Sequence, residues 1–298
     1  MKAYSRIQTD ETMRETVSHG SDDHPFRYYY EDIWQFDLHC VDWHWHPEVE
    51  FVCIEKGTAD FYIGGGKYTL GAGTGIFINS QVIHRFEAAE SVIIPNIVFS
   101  PLLLAAEDSL IYRKYVCPVI ISSADCLIFS PHIPWQKDIL TKLHEVFAIQ
   151  EEEDMRELRT AETLLSLWGI IYDNLRTSES FQRKKAAAHT EARLQIMMQF
   201  IHKNYREHIT LEDIAGAVSL SKSSALDLFR KYLRTSPVSY LVNYRLKRAA
   251  KLLDASDYSI SSAANSTGFE NTGYFCRSFK KLFGVTPTEY RKRQRTDL

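Results

Sequence analysis

Apolar positions fall into two regimes along the chain. Between residues 26 and 99 they come in short runs broken by turn residues, at 36–41, 50–54, 59–63, 75–79 and 91–99. Runs of this length and punctuation predict β-strands. Gly64-Gly65-Gly66 lies between two such runs and predicts a hairpin turn, and Gly71-Ala72-Gly73 marks another break. Many short strands at close spacing predict a sandwich or a barrel. The period then lengthens. Ile139, Leu140, Leu143, Val146 and Phe147 share one helix face, and Leu158, Ala161, Leu165, Trp168, Tyr172 and Leu175 share another. The acidic run 151–154 separates them, which predicts a helical hairpin. Its apolar faces serve either an intramolecular core or a dimer contact. From residue 192 onward the pattern is helical, with no strand signal.

Charge sharpens the division. The chain has 298 residues and a net charge of -3, but residues 1–188 carry -11 and residues 189–298 carry +8. A basic stretch of about 110 residues is an electrostatic footprint for a polyanion. The expected architecture is therefore α+β and multidomain. Residues 1–23 form a flexible arm, 24–135 a β-barrel, 136–176 the helical hairpin, 177–190 a linker and 191–298 an all-α domain. The polar, acidic N-terminus lacks the apolar core of a secretory signal. No run reaches 18 apolar residues, so a membrane span is not expected. Five scattered cysteines without a CxxC pair suggest reduced thiols and a cytoplasmic setting.

The last hundred residues contain a repeat. Phe229-Arg-Lys-Tyr-Leu-Arg-Thr-Ser-Pro-Val-Ser-Tyr240 returns fifty residues later as Phe279-Lys-Lys-Leu-Phe-Gly-Val-Thr-Pro-Thr-Glu-Tyr290. A repeat of this kind implies one supersecondary unit used twice. Each copy follows a helix–turn–helix pattern. In the first, Thr210 with Asp213 reads as a capping box, Ser219-Leu220 as the turn and Ser221 as the next N-cap. In the second, Ser259 caps, Gly268-Phe269 turns and Asn271 caps the last helix. Spacing places Ser223, Leu226, Asp227 and Arg230 on the outer face of one second helix, and Gly273, Cys276, Arg277 and Lys280 on that of the other. A helix fits the DNA major groove, where arginine bonds guanine bidentately, so Arg277 is the base-reading candidate. Arg230, Lys231, Lys280 and Lys281, at the helix ends, suit phosphates. Ser221, Lys222, Asn271 and Thr272, at the helix starts, complete the expected DNA face. Residues 238–253 read as one connecting helix carrying Arg245, Lys247, Arg248 and Lys251.

Residues 192–293 resemble the AraC family of bacterial transcription regulators. The resemblance is carried by Thr210-Leu-Glu-Asp-Ile-Ala, by Leu246-Lys-Arg-Ala-Ala-Lys-Leu-Leu, and above all by Gly268-Phe269 with Tyr274-Phe-Cys-Arg-Ser-Phe-Lys-Lys-Leu-Phe-Gly-Val-Thr-Pro287. It implies two helix–turn–helix units reading successive major-groove segments of double-stranded DNA, about 34 Å apart. Ser219 departs from the pattern, where glycine is frequent in the family. Leu226 and Asp227 stand where polar or basic residues are common, so the second unit is expected to dominate readout.

The N-terminal half adds a second cluster. His44-Trp45-His46-Pro47-Glu48-Val49-Glu50 has HxHxxxE spacing, and His84 follows. If His44, His46 and Glu50 lie along one strand, alternate side chains share a face, and His84 from a neighbouring strand completes a set suited to a first-row metal. The stretch resembles a cupin barrel, including Gly71-Ala-Gly-Thr-Gly, but lacks the usual proline of the second motif. Three readings stand side by side. The four residues line an effector pocket without metal, hold a divalent metal, or are polar groups of turns and core. Trp34, Trp45 and Tyr62 supply aromatic surface for such a pocket. The resemblance implies a small-molecule effector, with sugars the frequent class, a homodimer, no required cofactor, and RNA polymerase as a further partner. A metal-dependent cupin enzyme fused to a DNA-binding tail is the competing reading, and a constitutive DNA-binding dimer a third. No catalytic set supports the enzyme.

Overall fold

The strand-forming runs sort into two sheets according to how many of their faces are buried. The computed structural model describes residues 7–10, 12–152, 154–178, 187–255 and 258–296. Two units separate by contacts, Tyr4–Ala188 and His189–Leu298. In the first, β1 (Phe26–Asp32), β2 (Cys40–His44), β3 (Val49–Cys53), β4 (Thr58–Ile63) and β5 (Gly66–Gly71) are followed by β6 (Gly75–Ile78), β7 (His84–Glu87), β8 (Ile93–Phe99) and β9 (Cys126–Phe129). They pair antiparallel in a five-stranded sheet, β1-β8-β3-β6-β9, and a four-stranded sheet, β2-β7-β4-β5.

β3 and β6 are buried at every position. One face of their sheet packs Val52, Ile76 and Ile78 against Phe61, Ile63 and Phe86 of the other sheet. The opposite face packs Phe51 and Phe77 against helices. A sheet covered on both sides needs continuous apolar strands, and the run 50–54 supplied that. β4 alternates instead, with Ala59, Phe61 and Ile63 inward, because its sheet is covered on one side only. Among the described residues the strands form a two-sheet, cupin-like sandwich rather than one hydrogen-bonded barrel.

Gly64 and Gly65, at φ +55° and +87°, make the β4–β5 turn that the sequence predicted. The predicted strand 36–41 is replaced by a tight turn at Asp37–His39, and β2 starts only at Cys40. Leu38 and His39 are left-handed there, and the turn is held by Trp34 stacked on His39 at 3.5 Å. A short π-turn (Tyr112–Val116) and helix α1 (Cys117–Ile120) lead to β9. β9 gave no clear signal, since four residues are too few to show a period.

Helices α2 (Pro134–Ile149) and α3 (Arg156–Leu175) form the expected hairpin. Ile139, Leu143, Val146, Leu164, Leu167 and Ile171 pack on the five-stranded sheet. Each such buried side chain contributes roughly 1.5–3 kcal/mol. The α3 stripe expected from spacing divides: Trp168 and Leu175 are buried, but Leu158 and Leu165 are 62% and 43% exposed.

Part of the expected linker, 179–186, lies outside the described residues. Its last four residues already belong to helix α4 (Ala187–Asn204). Then follow α5 (Leu211–Gly216), α6 (Lys222–Leu233), α7 (Pro237–Ala255), α8 (Ile260–Ser266), α9 (Thr272–Phe283) and α10 (Pro287–Thr296). The Thr210–Asp213 capping box is present, and Ser221, Ser259 and Asn271 each accept a backbone N–H at their helix starts. The repeat has a physical basis here. Ser236 and Thr286 are hydroxyl N-caps, each followed by proline at the first helical position, where the absent N–H has no intrahelical partner to lose. Arg234 (φ +51°) and Gly284 (φ +73°) end α6 and α9 at matching repeat positions.

Candidate functional site

A cavity of about 230 Å³ opens inside the sandwich. Its walls come from β1, β3 and β8 of one sheet, β2 and β7 of the other, and residues 7–19. Apolar walls (Phe36, Val41, Phe86, Val98) surround Glu15, His19, Tyr29, Glu31, Glu50 and Asn96. No lysine or arginine is among the lining residues. Burial pushes Glu31 up to about 7, against a hydrogen bond donated by Asn96 at 3.4 Å.

His44, His46, Glu50 and His84 converge at the cavity, but not along one strand as the spacing suggested. His44 and His84 are cross-strand partners on β2 and β7, His46 lies in the loop after β2, and Glu50 stands on β3 of the other sheet. Their ligand atoms lie within 4.8 Å of one another, and all four residues are buried. Each imidazole Nδ1 faces a backbone carbonyl: His44 the Asp42 oxygen at 2.7 Å, His46 the Glu48 oxygen at 3.2 Å, His84 the Val82 oxygen at 2.8 Å. A carbonyl only accepts, so each Nδ1 carries a proton, and the Nε2 atoms of His46 and His84 face Glu50 Oε2 at 3.5 and 3.2 Å, while that of His44 faces Glu15 Oε2 at 3.8 Å. Three imidazoles and a carboxylate this close together make a donor set that fits a first-row divalent metal. Burial and the neighbouring His84 and His46 hold His44 well below the ordinary imidazole range. Burial opposes the charge of Glu50, but the imidazoles beside it outweigh that and keep the acid ionised.

The stretch 7–23, expected as a flexible arm, folds back on this site. Trp45, between the two cluster histidines, receives it. Glu15 N donates to the Trp45 carbonyl at 2.9 Å, Trp45 N to the Met13 carbonyl at 3.0 Å, and the indole to the Thr12 carbonyl at 2.9 Å. Trp45 is therefore a clasp rather than a pocket wall. Trp34 is spent on its His39 stack, and Tyr62 bonds Glu87 at 2.6 Å; neither lines the cavity. Sequence reasoning did not single out Glu15, His19, Tyr29, Glu31 or Asn96. Only Tyr29 and Glu31 left a trace, as alternate residues on one strand.

The helical unit carries the second site. Ser223, Asp227 and Arg230 are exposed on α6, and Gly273, Arg277 and Lys280 on α9, as spacing placed them. Ser221, Lys222, Lys231, Asn271 and Lys281 are exposed too, whereas Leu226, Thr272 and Cys276 are half-buried. Lys222 pairs with Glu212 at 3.0 Å. Tyr274 is 47% exposed at the start of α9 and belongs to the same face, though it was not singled out. Arg245, expected as a basic surface residue, instead donates to the Tyr205 and Glu207 carbonyls at 2.6 and 2.7 Å and secures the end of α4.

Comparison with known proteins bears on both units. The AraC-like ligand binding domain family matches residues 32–110, and a helix-turn-helix domain family matches residues 214–293. The uncharacterized HTH-type transcriptional regulator YdeC of Bacillus subtilis (strain 168) is 30% identical over 289 residues, covering 95% of this chain and 97% of that one. The melibiose operon regulatory protein of Escherichia coli (strain K12) is 24% identical over 254 residues, covering 84% and 83%. A 1.65 Å structure of ToxT from Vibrio cholerae aligns over 89% of this chain and 97% of its own, at 15% identity and a TM-score of 0.40. With a ligand-binding sandwich ahead of two helix–turn–helix units, and a relative at this identity along nearly its whole length, the chain belongs to the AraC family of DNA-binding transcription regulators.

Proposed function

We propose that the chain is an effector-responsive regulator whose signal is a small molecule bound in the cavity of the sandwich. The cavity itself carries the reading: apolar walls with convergent polar groups, inside the domain that matches a ligand-binding family. Glu15, Glu31, Glu50 and Asn96 offer acceptors, and no lysine or arginine is among the lining residues. That lining suits a neutral polyhydroxyl compound better than an anion. A sugar meets this description, and a melibiose operon regulator is among the relatives. The sugar is held by hydrogen bonds, since the tryptophans lie elsewhere. Segment 7–23 closes the cavity, so binding there reaches the clasp on Trp45. The regulator acts in the cytoplasm, where double-stranded DNA is its partner.

The test is the melting temperature of the full chain against mono- and oligosaccharides. A sugar at 100 times its dissociation constant stabilises by about 2.7 kcal/mol, a shift of several degrees at most. Asn96→Leu should abolish that shift. A shift that survives this change places the ligand elsewhere.

We also propose a homodimer through α3, whose Leu158 and Leu165 remain exposed while the face behind them is buried. Leu158→Glu with Leu165→Glu should give a monomer by sedimentation without loss of helicity. A dimer that persists would remove α3 from the interface.

A further inference from the structure

We propose that Arg206 and Arg248, brought together on the phenol of Tyr205, form a phosphate-binding site outside both recognition helices, and that it takes a phosphodiester of the DNA backbone. The proposal rests on DNA binding by the helical unit and is independent of the effector reading.

Three arginines meet where the end of α4 packs against α7. Arg245 is spent, because it donates to the Tyr205 and Glu207 carbonyls. Arg206 Nε donates to the Tyr205 phenol at 3.1 Å, and its guanidinium carbon lies 5.5 Å from the centre of that ring. Arg248, one turn after Arg245 on α7, brings its guanidinium carbon to 5.8 Å from the same ring. Neither Arg206 nor Arg248 pairs with a carboxylate among the described residues. Two like charges held together without an acid repel each other, and a neutral phenol does not offset that. Burial opposes ionisation of the Tyr205 phenol, yet the two guanidiniums outweigh it and lower its pKa. A guanidinium also carries more N–H donors than a phenol can absorb. The remaining donors, on two planar forks, match the oxygens of a phosphate. Arg206 is exposed, so a ligand reaches the pair from solvent.

The place of the cluster in the helical unit favours DNA over a free anion. The turn at Gly268 packs on the Tyr205 and Arg206 carbonyls, and the Arg245 guanidinium carbon lies 6.0 Å from the Phe269 ring. Tyr258 is 40% exposed and directly precedes Ser259, the cap of α8. The Tyr205 phenol first, and that of Tyr258 after it, favour the charge on Arg206. The cluster therefore touches the chain just before α8 and just after it. α8 is the first helix of the second helix–turn–helix unit, and in such units the first helix crosses the backbone while the second enters the groove. A phosphodiester passing α8 meets the two guanidiniums.

The experiment uses the full chain and a mixed-sequence DNA duplex long enough for both units, with fluorescence anisotropy read across a range of salt concentrations. Arg206→Ala with Arg248→Ala should lower the slope of log affinity against log salt by about 0.9, the release expected for one phosphate, which is roughly eightfold in affinity at about 0.1 M salt. Lysine at both positions keeps the charge without the fork and should recover most of the slope. If the double alanine variant loses helical circular dichroism, Arg206→Ala alone serves, since that position is exposed, with a smaller fall in slope as the expected result. A second arm adds inorganic phosphate at constant ionic strength and reads the melting temperature. Stabilisation by phosphate that the double variant loses, with its DNA slope unchanged, would reassign the site to a free phosphate and overturn the DNA assignment. A slope and a phosphate response both unchanged in the double variant would overturn the site itself and leave the two arginines as a bracket between α4 and α7.

Discussion

Gly268→Ala should cost the helical unit about 2–5 kcal/mol. Gly268 sits at φ +83° in the second helix–turn–helix, where a side chain costs roughly 1–2 kcal/mol of backbone strain. A Cβ there would also lie 2.7 Å from the Tyr205 carbonyl oxygen and 2.9 Å from that of Arg206. Both are backbone atoms, so relief requires the end of α4 to move, and overpacking of this kind adds about 1–3 kcal/mol. The first unit provides the control. Ser219 holds the matching turn at φ +53° and is exposed, so Ser219→Gly should gain about 0.5–1 kcal/mol. Urea unfolding of the full chain, followed by helical circular dichroism, reads both. A Gly268→Ala variant within 0.5 kcal/mol of the parent would contradict the tight approach of this turn to α4.

Arg277→Ala should weaken operator binding by about 1–3 kcal/mol, roughly 5- to 150-fold, and relax selection at one base pair. Arg277 is exposed in the second turn of α9, and its guanidinium lies beside Gly273, one turn earlier. An arginine on the exposed face of a groove-entering helix is able to bond a guanine edge bidentately. Lys281, in the last turn of α9, is expected to meet phosphate instead. Lys281→Ala should weaken binding to all sequences alike and reduce the salt slope by about 1. Competition binding to operator variants at two salt concentrations separates the two effects. Equal losses on every sequence from both changes would take base reading away from Arg277.

What the sequence made legible was what local chemistry decides. The caps at Thr210, Ser221, Ser259 and Asn271, the turn at Gly64-Gly65 and the exposed faces of α6 and α9 each depend on a few neighbouring residues. The convergence of His44, His46, Glu50 and His84 was anticipated, but for the wrong reason. It arises from two sheets meeting, not from alternation along one strand. Glu15 was invisible because it arrives by chain reversal, through backbone contacts that residue types do not encode. Trp34, Trp45 and Tyr62 misled because an aromatic side chain signals burial or stacking without saying against what. Their partners, His39, the Thr12 carbonyl and Glu87, are fixed only once turns and strands are in place.

The coupling of cavity to operator is the central claim, and operator affinity of the full chain measures it most directly. With the sugar that raises the melting temperature at saturation, the affinity should change about 5- to 150-fold, the range of a coupling of 1–3 kcal/mol. Asn96→Leu should bind operator but lose the response. An operator affinity unchanged by saturating sugar would contradict the account and leave the sandwich as a domain that does not signal.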